Sequence, residues 1–332
     1  MKKISALTNE QREFIFKETA YKMNVQPVVI EKDYWVCLVL DFLFNYSSFK
    51  DAFIFKGGTS LSKCYGIIER FSEDIDLILK WSTLGIEKEE IYKVRSKTQN
   101  SKFAENLNFK CIQYLKDNFI EKFKFELDVY LGYEVEVKFD EIDKQTINIF
   151  YPSIYRDDYI KPFIRLEIGP VSLQNPEVTC SIKPYCANYY SRFFDYFEFN
   201  VPTISIERTF FEKLLILSNE NDRPLDLKRP SRYSRHYYDV CKIFESSYKE
   251  KILSNKELFD EIKVFKNLFY RCGWSKYDSV TLKNIVIVPN ASLQEFLKKD
   301  YKMMENMFFG KYPLFDELIN KINELQKTLN NL

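Results

Sequence analysis

Histidine and glycine are scarce in this chain, which has one histidine, His236, and 8 glycines among 332 residues. Seven cysteines are scattered and none stands in a CxxC pair. With one histidine and no paired cysteines, a structural zinc site has no ligand set to draw on. Odd, dispersed cysteines read as buried reduced thiols of a cytosolic protein. No stretch approaches the ~18 consecutive apolar residues of a membrane span. The opening MKKISALTNEQREFIFKETA has two lysines but no apolar run behind them, which is not the pattern of a signal peptide. An excess of one charge is also missing, with 49 Lys and Arg against 48 Asp and Glu. Net charge therefore announces no nucleic-acid binder, and any basic surface must be local.

What the chain does have is apolar and aromatic side chains, at 45% and 17% of residues. That composition belongs to a folded globular protein of one large or two moderate domains. A helix is predicted over 8–22, with Thr8 as N-cap and Gln11 three residues on. A second begins at Pro27, and Trp35, Val36, Leu38, Val39, Leu40, Phe42 and Leu43 are its core positions. Phe53–Phe55 reads as a short strand or a helix end. Thr59 or Ser60 then caps a helix carrying Leu61, Cys64, Tyr65, Ile68 and Phe71, followed by a strand in DIDLILK. Residues 87–118 read as a polar helical stretch. Alternating runs at 133–139, 146–152 and 163–169 are half-buried strands. From Glu207 onward helices dominate. The order implies an α+β architecture, a mixed β-sheet flanked by helices and a mainly helical C-terminal part. The division falls near residue 200, giving 1–200 and 201–332.

Two of the few glycines stand together in FKGGTSLSKCYGIIERFSEDIDLIL, Phe55 to Leu79. Residues i and i+2 of a strand face the same side, so Asp74 and Asp76 project together. Two carboxylates that close repel unless a cation sits with them, and a hard divalent ion such as Mg²⁺ suits oxygen ligands. A solvated strand end is the plainer reading of the same pair. The GG[ST] turn upstream shifts the balance. Gly57, Gly58, Thr59 and Ser60 open a helix, where backbone N–H groups favour phosphate. This is not a Walker A loop, because GxxxxGK[ST] is absent. A third carboxylate for a two-metal site is offered by Glu167 in RLEIG, with Asp128 the weaker substitute.

In ERTFFEKLLILS, helical spacing pairs Arg208 with Glu212 and leaves Lys213 beside an apolar stripe, the usual place of a snorkelling surface lysine. RPLDLKRPSRYSRHYYDV packs five Lys or Arg and one acid between Arg223 and Arg235. It reads as a loop, then a helix from about Ser231. Lys228, Arg229, Arg232, Arg235 and His236 interleave with Tyr233, Tyr237 and Tyr238, a pattern that suits single-stranded RNA ends. Arg235 and His236 both lie within helical reach of Asp239. Glu31, Lys32 and Asp33 read as charges at a helix start. DYKMMENMFFG reads as an amphipathic helix packing Met303, Met304, Met307 and Phe308.

FKGGTSL…RFSEDIDL, LEIG, RTFFEKLL and SRHYYDV, with IEKDYWVCLVL and DYKMMENMFF, resemble the AbiEii family of nucleotidyltransferase-like toxins on the DNA polymerase β-type minimal nucleotidyltransferase fold. The resemblance covers nearly the whole chain. It implies a cytoplasmic toxin of a toxin–antitoxin or phage-defence system with a cognate antitoxin. It implies nucleotide transfer from an NTP, with Mg²⁺ or Mn²⁺, to RNA, most plausibly the tRNA 3′ end. Asp74, Asp76 and Glu167 would bind metal, and Lys213 the nucleotide's phosphates. Asp239 would be catalytic or would orient Lys213 or another basic residue, and Lys32 would face the cleft. A phosphotransferase, a protein-nucleotidylating enzyme and a non-catalytic nucleotide or RNA binder are the alternative readings.

Overall fold

Helix α1 (Asn9–Met23) starts where Thr8 and Gln11 satisfy each other's backbone in a reciprocal capping box. Helix α2 (Pro27–Asp41) follows with proline in its first turn, where no N–H is required. Every residue from Val28 to Asp41 is buried. This computed structural model describes residues 1–157, 160–224, 226–309 and 311–332. The next elements are β1 (Phe53–Lys56), α3 (Gly57–Lys63) and β2 (Ile75–Leu79). Helices α4 (Lys88–Ile91), α5 (Lys97–Tyr114) and α6 (Ile120–Leu131) come next, so the polar helical stretch runs further than 118. Strands β3 (Glu136–Phe139), β4 (Thr146–Phe150), β5 (Phe163–Gly169) and β6 (Glu177–Ile182), helix α7 (Ala187–Tyr190) and β7 (Phe199–Ile204) complete the sheet region. The remainder is α8 (Ile206–Asn221), α9 (Ser234–Phe244), α10 (Lys249–Ser254), α11 (Lys256–Phe269), α12 (Ala291–Met303) and α13 (Phe315–Asn330). Among the described residues no helix is long and apolar enough to cross a membrane.

The chain forms two units. One holds Met1–Tyr65 and Phe71–Ile204, the other Gly66–Arg70 and Ser205–Leu332. In the first, the seven strands lie in the order β3-β4-β5-β2-β1-β7-β6. Strand β2 runs antiparallel to β1 and parallel to β5, and β1 runs parallel to β7. Period-2 alternation sorts the faces. Phe53, Phe55, Ile75, Leu77, Ile164, Leu166 and Ile168 enter the main core with α2. The opposite face has only a small apolar cluster, Ile54, Ile78 and Ile204. It also presents the polar members of β2 and β5, because Asp76 alternates with the buried Ile75 and Leu77, and Glu167 with Leu166 and Ile168.

The structure departs from the sequence reading at several elements. Of the two readings for Phe53–Phe55 the strand holds, but α3 stops at Lys63, with Gly66 in the left-handed region (φ 62°), so Ile68 and Phe71 are not helical. Strands β6 and β7 have weak sequence signals, and Pro202 within β7 hides the second. Helix α9 starts at Ser234 rather than Ser231 because Arg232 adopts φ 58° and breaks the turn. Helix α12 ends at Met303, which is 66% exposed, while Met304 and Met307 are buried in the turn that follows.

In the second unit, α9 lacks a cap of its own. Asp300 of α12 supplies it, accepting from Arg232 N (2.6 Å), Ser234 N (2.8 Å) and Ser234 Oγ (2.6 Å) while 2% exposed. Asp300→Ala removes the acceptor of three hydrogen bonds at the start of α9, so we expect a loss of about 3 kcal/mol of stability. The check is the urea midpoint beside wild type, and a loss below about 1 kcal/mol would show the cap to be redundant.

Candidate active site

Gly57 shows why this chain uses a glycine here. Its φ is +85°, where an L side chain is strained, and a Cβ built there would lie 1.8 Å from Asp76 Oδ2. The Asp76 carboxylate therefore lies over the bare Cα of Gly57. The pairing is set by register: Lys56 faces Asp76 across the antiparallel β1/β2 ladder, and the next residue turns over it. On the other side of β2, Asp76 faces Glu167 in the parallel β2/β5 ladder, and Glu167 faces Thr146 on β4. Asp74 stands two residues before Asp76, just ahead of β2.

Thr59 and Ser60 do not cap α3, which has no side-chain cap. Both are fully buried and their hydroxyls turn inward. Thr59 Oγ1 donates to the Asp74 carbonyl at 2.5 Å and meets Ser72 Oγ at 3.0 Å, while Ser60 Oγ donates to the Gly57 carbonyl at 2.8 Å. These hydroxyls hold the turn in shape and are not placed to grip a ligand. What α3 offers instead is uncapped backbone N–H groups in its first turn. Its seven residues keep that contribution local rather than a long macrodipole.

Glu31, Lys32 and Asp33 lie inside α2 rather than at its start, and all three are buried. Lys32 Nζ pairs with Glu73 Oε2 at 3.1 Å and donates to the carbonyls of Lys161 and Phe163. Burial lowers its pKa, and Glu73 and Asp74 oppose that shift. A buried cation thus stands behind the Glu73–Asp74 stretch. Asp33 binds Lys63 at 2.6 Å and the Tyr185 N–H at 2.7 Å, tying the end of α3 to α2. Glu167 pairs with Arg165 at 3.2 Å on the same face of β5. Asp128 lies elsewhere, at the end of α6, where it holds Lys124 (2.6 Å) and the Val135 N–H (2.8 Å).

Among the described residues no three His, Cys, Asp or Glu side chains form a closed metal cage. The donor set still fits one kind of ion. Asp74, Asp76 and Glu167 are all hard oxygen donors, and Mg²⁺ is usually held by one or two carboxylates with substrate phosphates completing its shell.

The second unit gathers a different set. Asp239 on α9 is fully buried and accepts a forked pair from Arg70, at 2.7 Å (Nε) and 2.8 Å (Nη2). Lys213 on α8 approaches the same carboxylate at 3.0 Å, and its Nζ lies 3.2 Å from His236 Nδ1. Burial alone would raise the Asp239 carboxyl, but Arg70 and Lys213 outweigh it and hold it well below its usual range. Burial lowers Lys213, with Asp239 opposing. Lys213 is therefore a buried, paired cation rather than a snorkelling one, and its partner is Asp239. Arg208 does pair with Glu212, at 2.9 Å.

The basic loop is less available than its composition suggests. Arg229 binds Glu220 at 3.2 Å, and Arg223 binds it at 2.7 Å. Tyr233, Tyr237 and Tyr238 are buried, and Tyr238 Oη accepts from the Glu69 N–H. They are core residues and cannot stack on RNA. Lys228 is exposed, and Arg232 and Arg235 are partly exposed. Sequence reasoning missed Arg70, whose only signal was a cation in RFSEDID, and the anchoring roles of Thr59 and Asp300.

A mixed sheet carrying Asp-x-Asp beside a GG turn, followed by a helical unit, defines the nucleotidyltransferase class. The model of the family "Nucleotidyl transferase AbiEii toxin, Type IV TA system" matches residues 41–321, and the chain belongs to that family. It is a nucleotidyltransferase toxin of a type IV toxin–antitoxin system. Among solved structures it is similar to MenT4, a nucleotidyltransferase toxin from Mycobacterium tuberculosis H37Rv. The identity is 14% over 98% of this chain and 91% of that one, with a TM-score of 0.55. It is also similar to JHP933 from Helicobacter pylori, at 13% identity over 92% and 94% of the two chains and a TM-score of 0.46. At its identity the MenT4 likeness speaks for the fold alone. No curated protein matches the chain.

Two predictions follow from this geometry. Gly57→Ala forces the Asp76 carboxylate aside, and nucleotide transfer falls about a hundredfold, as for an ångström-scale misplacement. Steady-state assay beside a melting curve checks it, and unchanged kcat would show that Asp76 need not stay over residue 57. Arg70→Met leaves Asp239 with Lys213 alone and costs about 3–5 kcal/mol, the usual result of breaking a buried pair. Because Asp239 is depressed, its contribution is present above the unfolded carboxyl pKa of about 3.9 and is lost as pH falls through the folded value. Removing Arg70 raises that folded value, so acid unfolding of Arg70→Met begins at higher pH. A pH titration of ellipticity reads this directly.

Proposed function

We propose that the protein transfers a nucleotidyl group from an NTP to RNA, with the 3′ end of tRNA as the first acceptor to test. The observation that carries this reading is the register of β2, which sets Asp76 beside Glu167 with Asp74 two residues away. On this reading Asp74 and Asp76, with Glu167 assisting, hold Mg²⁺ or Mn²⁺. The bound ion would supply Lewis-acid stabilisation to the triphosphate and favour ionisation of an attacking hydroxyl. The residues of the chain do the remaining work. The uncapped N–H groups of Gly57 and Gly58 donate to phosphate oxygens. Thr59 fixes the Asp74 backbone, and Lys32 offsets the acidic charge of Glu73 and Asp74. Lys213 offsets charge that grows on the phosphates during transfer, a task for a compact cation. Asp239 keeps Lys213 in place. Lys228, Arg232 and Arg235, all at least partly exposed, would meet an RNA backbone. The family's toxin biology supports a cognate antitoxin and a cytoplasmic site of action.

The test is incubation of purified protein with total tRNA, Mg²⁺ and each α-labelled NTP in turn, beside Asp76→Ala. Label is expected in tRNA with wild type alone, and chelation by EDTA removes it. Label in protein, or transfer only from γ-labelled NTP, would replace the RNA reading with protein nucleotidylation or phosphotransfer. Nucleotide binding without turnover under any condition would leave a binder.

A further inference from the structure

We propose that His236, the only histidine of the chain, is a positioning residue for Lys213: its neutral ring accepts a hydrogen bond from the lysine ammonium through Nδ1. This rests on the nucleotidyltransferase reading of Lys213, not on the identity of the acceptor. The geometry fixes the roles. Lys213 Nζ is 3.2 Å from His236 Nδ1 and 3.0 Å from Asp239 Oδ2. An ammonium has donors only, so Nδ1 must carry the lone pair and the ring proton must sit on Nε2. The carboxylate of Asp239 and the imidazole of His236 thus bracket the ammonium.

The surroundings explain why a neutral acceptor is used. The charged groups around Lys213 are Asp239 and Arg235 on α9 and Arg70 from the Gly66–Arg70 segment, and Tyr233 packs edge-on against the imidazole at 5.0 Å. Arg70 and Lys213 are two buried cations facing one buried carboxylate. A second carboxylate at position 236 would cancel the remaining positive charge. A protonated imidazole would repel Lys213 and lose the hydrogen bond. Burial, Lys213 and Arg235 together push the His236 pKa well below its ordinary value, so the neutral ring persists at physiological pH. His236 thus directs the ammonium without neutralising it. That excludes both a general-base role and a phosphate contact through Nδ1.

The single histidine makes the test direct. Protein labelled with ¹⁵N-histidine gives one imidazole spin system in a long-range ¹H–¹⁵N spectrum. The expected result is the Nε2–H tautomer, a protonation midpoint well below that of free histidine, and an Nδ1 resonance that shifts when Lys213→Met removes the donor. An Nδ1–H tautomer, or titration near the free value of about 6.5, overturns the proposal. This arm needs no acceptor, so it stands or falls separately from the RNA reading. In the kinetic arm, His236→Leu lowers kcat about tenfold to a hundredfold with whichever acceptor takes α-label, the usual cost of losing a hydrogen bond to a charged group. The alkaline limb of its pH profile moves to lower pH, because the ammonium has lost an acceptor. His236→Asn places an amide oxygen near the former Nδ1 and recovers both kcat and the limb. If the asparagine variant behaves as the leucine one while folded by near-ultraviolet dichroism, His236 merely packs and the proposal fails.

Discussion

The Asp76 carboxylate resting on the Cα of Gly57 is the contact on which the candidate site depends. The antiparallel ladder brings Lys56 opposite Asp76, so the chain must turn immediately after Lys56 and directly above the acid. Only a residue without a side chain, and tolerant of φ +85°, fits there. Once the turn is made, α3 starts with its hydroxyls facing inward, and Thr59 reaches the Asp74 carbonyl. Both aspartates are thus located through backbone: Asp76 by its ladders and Asp74 by the Thr59 hydrogen bond. Backbone placement is stiffer than placement by long side chains, which is what a pair of like charges requires.

The second unit solves a different problem with the same economy. Burying charge is costly, and replacing a buried ion pair with apolar residues is often neutral for stability or better. The Arg70–Asp239–Lys213 set is therefore better understood as fixing where an ammonium sits than as holding the fold together. Asp239 takes two bonds from Arg70 and still reaches Lys213, and Asp300 clamps the start of the helix that carries both Asp239 and His236. The positions of these groups are over-determined, as a preorganised electrostatic site demands.

The acids of the candidate site were legible in the sequence because period-2 alternation assigns faces without knowledge of the fold. Asp74 and Asp76 flank a buried isoleucine, and Glu167 lies between two buried apolar residues. Strand order was not legible in the spacing, because which strands pair is decided by long-range packing. Strands β6 and β7 were missed for the same reason, since Pro202 argues locally against a strand. In the basic run from Lys228 to Arg235, composition does not distinguish a solvated arginine from Arg229, which is held by Glu220 on the preceding helix. Its tyrosines misled, as an amphipathic helix buries such rings at helical spacing whatever charges lie between them. Arg70 had no local signal beyond its charge, because its partner lies 169 residues away.

The near-zero net charge of the chain conceals two opposite local imbalances. In the first unit, Glu73, Asp74, Asp76 and Glu167 gather on and beside β2, with Lys32 and Arg165 each committed to one of them. In the second, two buried cations share one carboxylate, and a neutral imidazole also meets Lys213. Clustered carboxylates suit a divalent cation, and a buried ammonium suits phosphate. The scarce residues mark the two places where this balance is set: a glycine where an acid must come closest to backbone, and the single histidine where a cation must be held without losing its charge.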